Sequence, residues 1–352
     1  MADKRRRARR AAMAVAVTLG AGLFIAAVAT PLASSPRELI FEIGPVDLPP
    51  DATHHDVIQP EVRAVTLPDD GWLQGYSFDL VDRDGRPIPN RVLHHLNLVA
   101  PERRELFSPI MLRLGAAGPE TAPVKLPRLL GSPVRKGDTL VLAAMLHNPT
   151  HERYAGARIR VRMPYVPAAS RVKPVSVYPF WVDVMPPAGK HDFDLPPGRS
   201  ETYWEGSPAL PGRILAAGGH MHRYALVLRF EDRTASRVIW EATAQTDSAG
   251  QVVGVPTKYF LWPPGATVDP SHVYRLSVVY DNPTGATIPE GGMGAFGGIF
   301  IPTGDRGWPE VVRSHPEYGE DVRVVWRIGR EQAGSGTAAT GHAGHDYEAS
   351  RR

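Results

Sequence analysis

Apolar and polar residues alternate along most of this chain, and no long helical stripe interrupts them, so the pattern predicts a protein of short strands. In the first half it predicts strands at Trp72–Val81, Arg91–Val99, Thr139–Leu146 and Ala157–Met163. In the second half it predicts Val175–Val184, Ile214–Ala217, Met221–Phe230, Arg237–Thr243, Tyr274–Tyr280 and Gly298–Ile301, with Val322–Trp326 as the last. Residues 37–70 read as an extended, Pro-rich lead-in, and Pro164–Pro174 as a linker. On a continuous strand from 220 to 230, His220, His222, Tyr224, Leu226, Leu228 and Phe230 share one face, while Arg223 and Arg229 share the other.

One stretch echoes another. Leu140–Thr150 reads LVLAAMLHNPT and Tyr274–Thr284 reads YRLSVVYDNPT, each an alternating strand closed by Asn-Pro-Thr. A His pair precedes each turn, His94-His95 in the first half and His220/His222 in the second. This predicts an all-β fold of two tandem, jelly-roll-like β-sandwich domains, over residues 37–168 and 175–330, with a disordered tail at 331–352.

Composition supports strands. The 352 residues include 35 Pro and 34 Gly, and that proline share is about twice the usual level. Net charge is +3, but the first ten residues carry six Lys/Arg against one Asp, which leaves the body slightly acidic. A nucleic-acid surface is not indicated. Residues 11–32 follow this basic start as an apolar run long enough to cross a bilayer, which predicts a single-pass cell-membrane anchor with the body extracytoplasmic. Ala27-Val28-Ala29 offers a cleavage pattern, so a signal peptide releasing a secreted or periplasmic body is the competing expectation. No cysteine is present, which excludes disulfides, thiolate metal sites and cysteine nucleophiles.

Chemistry therefore falls to histidine and methionine. His220 and His222, two residues apart on a strand, can grip one metal ion. His94 and His95 point to opposite faces of a regular strand, so joint ligation there needs a bulge. His147 ends the strand before the first Asn-Pro turn, and Met293 lies in the glycine-rich EGGMGAFGG. Three imidazoles suit copper, zinc or iron, whereas two imidazoles with a thioether point to copper. Two unlike sites suggest electron supply at one and oxygen chemistry at the other. His151 is a rival to His147. His54-His55, His191, His272, His315, His342 and His345 read as loop or tail residues.

In this order the set resembles the copper type II, ascorbate-dependent monooxygenases, the family of peptidylglycine α-hydroxylating monooxygenase and dopamine β-hydroxylase. The matching positions are His94-His95 in LHHLNL, His147 in LHNPT, His220-Met221-His222, and Met293, and the likeness spans roughly residues 60–305. It implies two β-sandwiches and two coppers per chain. One copper would sit on His94, His95 and His147 and take electrons from ascorbate or another one-electron donor. The other would sit on His220, His222 and Met293 as the catalytic site, where O₂ is used to hydroxylate a C–H bond of a small-molecule substrate.

Departures limit that likeness. Peptide-amidating members carry an Arg two residues before the His-x-His, where this chain has Gly218. They carry Asn and Tyr two and four residues after the Met, where it has Ala295 and Gly297. Peptide amidation is not expected. The main alternative is a non-catalytic copper-binding or copper-delivery protein outside the cytoplasm. A cupin-like enzyme matches poorly, because the nearest Glu is Glu231, and a metal-free adhesion module is the remaining reading.

Overall fold

A computed structural model of the protein describes residues 37–52, 56–119, 121, 123–185, 191–248, 250, 252–260, 264–304 and 307–333, with side chains as far as 325. The predicted span at 11–32, the tail beyond 333, and His54, His55, His342 and His345 lie outside them. Among the described residues no helix is long and apolar enough to cross a membrane.

The described residues are all-β apart from a helical turn at Asn90–Val92 and one eighteen-residue helix. In the first half the principal strands are β1 (Arg37–Leu48), β2 (Arg63–Thr66), β3 (Gly71–Leu73), β4 (Gly75–Val81), β5 (Leu93–Arg104), β6 (Met111–Ala117), β7 (Leu130–Val134), β8 (Thr139–Leu146) and β9 (Tyr154–Pro167). In the second half they are β10 (Tyr178–Asp183), β11 (Gly198–Gly206), β12 (Gly212–Met221), β13 (Ala225–Asp232), β14 (Arg237–Thr243), β15 (Tyr274–Asn282) and β16 (Gly294–Pro302), followed by helix α1 (Pro316–Ala333). One first-half sheet runs β7-β3-β9-β4 with β1 also on β9, and the other runs β2-β8-β5-β6. Their inner faces enclose a core that includes Ile43, Leu80, Leu96, Leu98, Leu142 and Ile159. Sheets β10-β16-β12 and β11-β15-β13-β14 enclose a second core around Phe230, Trp240, Leu276, Tyr280 and Phe296. Each half is a β-sandwich.

The two halves are pinned together. Leu106 and Phe107, at the β5–β6 hairpin tip, belong to the second core, where the Phe107 ring lies 5.5 Å from Phe230 and 5.9 Å from Tyr274. In the seam Glu105 is fully buried and accepts the Trp181 amide at 3.1 Å and the Arg113 amide at 2.7 Å. Arg113 in turn grips Asp321 of α1 through two guanidinium bonds, of 2.5 and 2.7 Å.

The Asn-Pro-Thr echo is a repeated structural device. Asn148 donates its amide to the carbonyls of Pro49 and Glu152 and accepts from the Thr150 amide and hydroxyl. Asn282 does the same with Leu195, Pro196 and Ala286, and with Thr284.

Several elements differ from expectation. The run Val322–Trp326 is helical, because Tyr318, Asp321, Val322 and Val325 sit at 3.6-residue spacing and pack on Val99, Met111 and Val141 of the first half. The helix continues to Ala333, past the expected start of the tail at 331. The lead-in contains the twelve-residue β1, whose register on β9 breaks between Ile43 and Val46, where Pro45 falls. The expected linker from Pro164 begins as strand, because β9 runs to Pro167. The expected Met221–Phe230 strand is two strands in two sheets.

Candidate metal centres

The first cluster is made by a bulge. A short helical turn at Asn90–Val92 feeds β5, where Leu93 pairs with Leu146 and His95 with Met145. His94 is the extra residue between them. A bulge of this kind re-aims a side chain, which is what the adjacent pair requires. The His94 and His95 rings lie with centroids 4.4 Å apart, at 88°. His147 follows β8, and its amide donates to the Val92 carbonyl at 3.0 Å, drawing it to the start of β5. The His147 and His94 rings are 5.4 Å apart, at 79°. Leu93, Leu96 and Leu146, all fully buried, anchor the backbone beneath.

The second cluster lies where the chain crosses between sheets. β12 ends at Met221, Tyr224 takes a left-handed conformation with φ 69°, and β13 starts the other sheet at Ala225. This breaks the single face expected for His220 through Phe230, and Leu226 is exposed as a result. Ala217 and Met221 are buried on the core side of β12, and a Cβ at Gly219 would lie 2.5 Å from Leu228. His220 and Gly218 therefore occupy the opposite, outer face. The His220 and His222 rings remain neighbours, 5.3 Å apart at 88°. Met293 immediately precedes the neighbouring strand β16, in which Gly294 pairs with Met221 and Ala295 with His220.

Tyr280 ties these pieces together. Its hydroxyl accepts the amides of His222 at 3.0 Å and Met293 at 2.9 Å and donates to the Met293 carbonyl. Burial pushes the phenol up to about 12, with its backbone hydrogen bonds opposing, so it stays protonated and can donate.

These distances can be set against ligand geometry. A metal about 2.0–2.1 Å from each nitrogen lies roughly 3.2 Å from each ring centre, which separates two ligating rings by ~4.5 Å at a right angle and ~5.5 Å at a trigonal one. The three ring pairs fall in or next to that range. Among the described residues no three His, Asp or Glu side chains already converge on one metal position. In the first set the His94 ring neighbours those of His95 and His147 without such convergence. The second brings two such residues together, with the backbone of Met293 close by.

Sequence reasoning passed over a pair near both clusters. Asp183 is buried on β10, and its Oδ2 lies 3.6 Å from His191 Nδ1. The His191 ring meets Trp181 edge-on at 4.8 Å. Burial raises the Asp183 carboxyl well above its usual range. Burial, then Arg113 and His95, hold His191 down to about 4, against Asp321. The signal was a carboxylate on the otherwise apolar strand FWVDV.

The other described histidines have partners elsewhere. His151, almost fully exposed, meets Asp51 at 2.5 Å. His272 pairs with Asp232 at 2.8 Å, and His315 Nδ1 accepts the Glu317 amide at 3.3 Å beside the start of α1.

No protein-family model matches the chain, and no curated protein sequence matches it. Among solved structures, PNGase F, a glycosylasparaginase from Flavobacterium meningosepticum, aligns with a TM-score of 0.38 at 10% identity, covering 76% of this chain and 97% of that one. The major capsid protein P2 of bacteriophage PM2 aligns with a TM-score of 0.36 at 10% identity, covering 77% and 100%.

Proposed function

We propose that this chain is a copper-dependent monooxygenase that hydroxylates a small molecule with O₂ and a one-electron donor such as ascorbate, outside the cytoplasm. The observation that carries this reading is the Tyr280 hydroxyl, which holds the backbones of His222 and Met293 together next to the His220–His222 ring pair. It brings the backbone of a methionine 71 positions further along the chain beside that of His222. That donor set suits an ion cycling between copper(I) and copper(II), because soft sulfur favours the reduced form. His94, His95 and His147 offer a second set of nitrogen alone. Bound copper would supply one-electron chemistry and O₂ activation, while the protein orients ligands and excludes water.

In this reading the bulge at His94 and the His147–Val92 bond position the nitrogen-only set. Tyr280 fixes the sulfur-bearing set from beneath, from within the core. The test is O₂ uptake by copper-loaded protein with ascorbate and a panel of small substrates. Uptake coupled to hydroxylated product, and lost in Met293→Ala, supports the enzyme. Copper binding with only substrate-independent redox cycling supports the carrier instead.

A further inference from the structure

The second half does not finish on itself. Beyond Pro302, where β16 ends, the chain returns to the first half and lies along the end of β5. Glu310 forms an antiparallel bridge with Arg103. Around it the Arg104 amide donates to the Pro309 carbonyl and the Val311 amide to the Glu102 carbonyl, both at 3.2 Å. Arg313 also meets Glu102 at 2.7 Å, an exposed pair that adds little by itself.

Trp308 touches both halves. Its ring stacks on Tyr178 of β10, with centroids 4.2 Å apart at 14°, and meets Phe300 of β16 edge-on at 6.0 Å. Its indole N–H donates to the Arg104 carbonyl of the first half at 2.9 Å. An apolar ring with one donor at its rim suits such a junction.

The arm ends in α1, seated on Val99 and Val141, which pair with each other on the face of their sheet away from Leu98 and Leu142 of the core. Asp321 of this helix is 1% exposed and takes the Met111 amide at 3.0 Å as well as both guanidinium nitrogens of Arg113. Lifting α1 would strip a buried charge of its partner and bare an apolar patch, so the seat is costly to vacate.

The covalent link between the halves is attached elsewhere. Val175 and Ser176, just past the linker, pair with Leu130 and Gly131 of β7, on the opposite sheet of the first sandwich from the one that carries α1. Domains joined by one linker hinge about it, whereas a second attachment on another sheet opposes the hinge.

We propose that residues 307–325 are a clasp, with Trp308 as its pin and Asp321 as its catch, which holds the two halves as one body instead of two hinged ones. The clasp stands on these contacts alone. Its consequence, one fixed separation between the two candidate metal sets, rests on the copper reading.

The test uses metal-free full chain, so a failure of the copper reading leaves it intact. The chain has no cysteine of its own, so Asp84→Cys in the first half and Thr243→Cys in the second, both exposed, can carry a pair of spin labels. Pulsed electron–electron double resonance should give one narrow distance distribution in this doubly labelled parent. Trp308→Ala and Asp321→Ala should each widen it about twofold or more, with native circular dichroism confirming the fold. If Asp321→Ala does not fold, Trp308→Ala decides. A broad or two-peaked distribution in the parent, or an unchanged width in a folded variant, overturns the proposal.

Discussion

The hydroxyl of Tyr280 accepts the amide of Met293 at 2.9 Å and donates back to the carbonyl of the same residue. A single buried phenol thus fixes both backbone polar groups of a methionine inside a glycine-rich segment that few side chains could otherwise anchor. Because the same oxygen also takes the His222 amide at 3.0 Å, the tyrosine sets where the Met293 backbone sits relative to that of His222.

Tyr280→Phe keeps the ring and removes the oxygen. Leaving these buried backbone groups without their partner should cost roughly 2–4 kcal/mol in urea unfolding. Copper affinity should fall at the His220/His222/Met293 set and hold at the His94/His95/His147 set. Equal weakening of both, measured by competition with a copper(I) chelator, counts against the positioning role.

The paired asparagine cages make a second case. Asn148→Ala and Asn282→Ala each strip several hydrogen bonds from a side chain that is 1% exposed, and each should cost roughly 2–4 kcal/mol. The two losses should add within about 0.5 kcal/mol, since the cages lie in separate cores. Denaturant melts of the singles and the double give the answer directly.

Acidity in the seam gives a third. Burial pushes the Glu105 carboxyl up to about 7, against hydrogen bonds and the Arg113 charge that lower it. The folded protein therefore binds a proton that the unfolded chain releases near 4.5. The resulting stability is full below that value and is lost as pH rises towards and through 7, by roughly 3 kcal/mol in total. Glu105→Gln should flatten that decline between pH 5 and 7.5 in thermal unfolding, relative to the parent.

Much of this architecture was legible from residues alone, and the exceptions have physical causes. Thr139–Leu146 was read to its ends because Asn-Pro closes it, and the need for a bulge at His94-His95 followed from their adjacency. The crossing after Met221 left no such mark. Its left-handed residue is Tyr224, which carries none of the glycine or asparagine signal that usually announces a turn. Val322–Trp326 taken alone has the pattern of a strand, because Tyr318 and Asp321, whose spacing makes it helical, lie outside the apolar run. Asp183 escaped notice because its significance lies in pairing across strands, with Ala295 and through it His220.

X-ray absorption at the copper edge of reduced, copper-loaded full chain tests the central claim most directly. Two coppers per chain are expected, one of them with a sulfur neighbour that disappears in Met293→Leu while the nitrogen shell of the other copper is unchanged. Less than one copper per chain, or a sulfur signal that survives Met293→Leu, would contradict it.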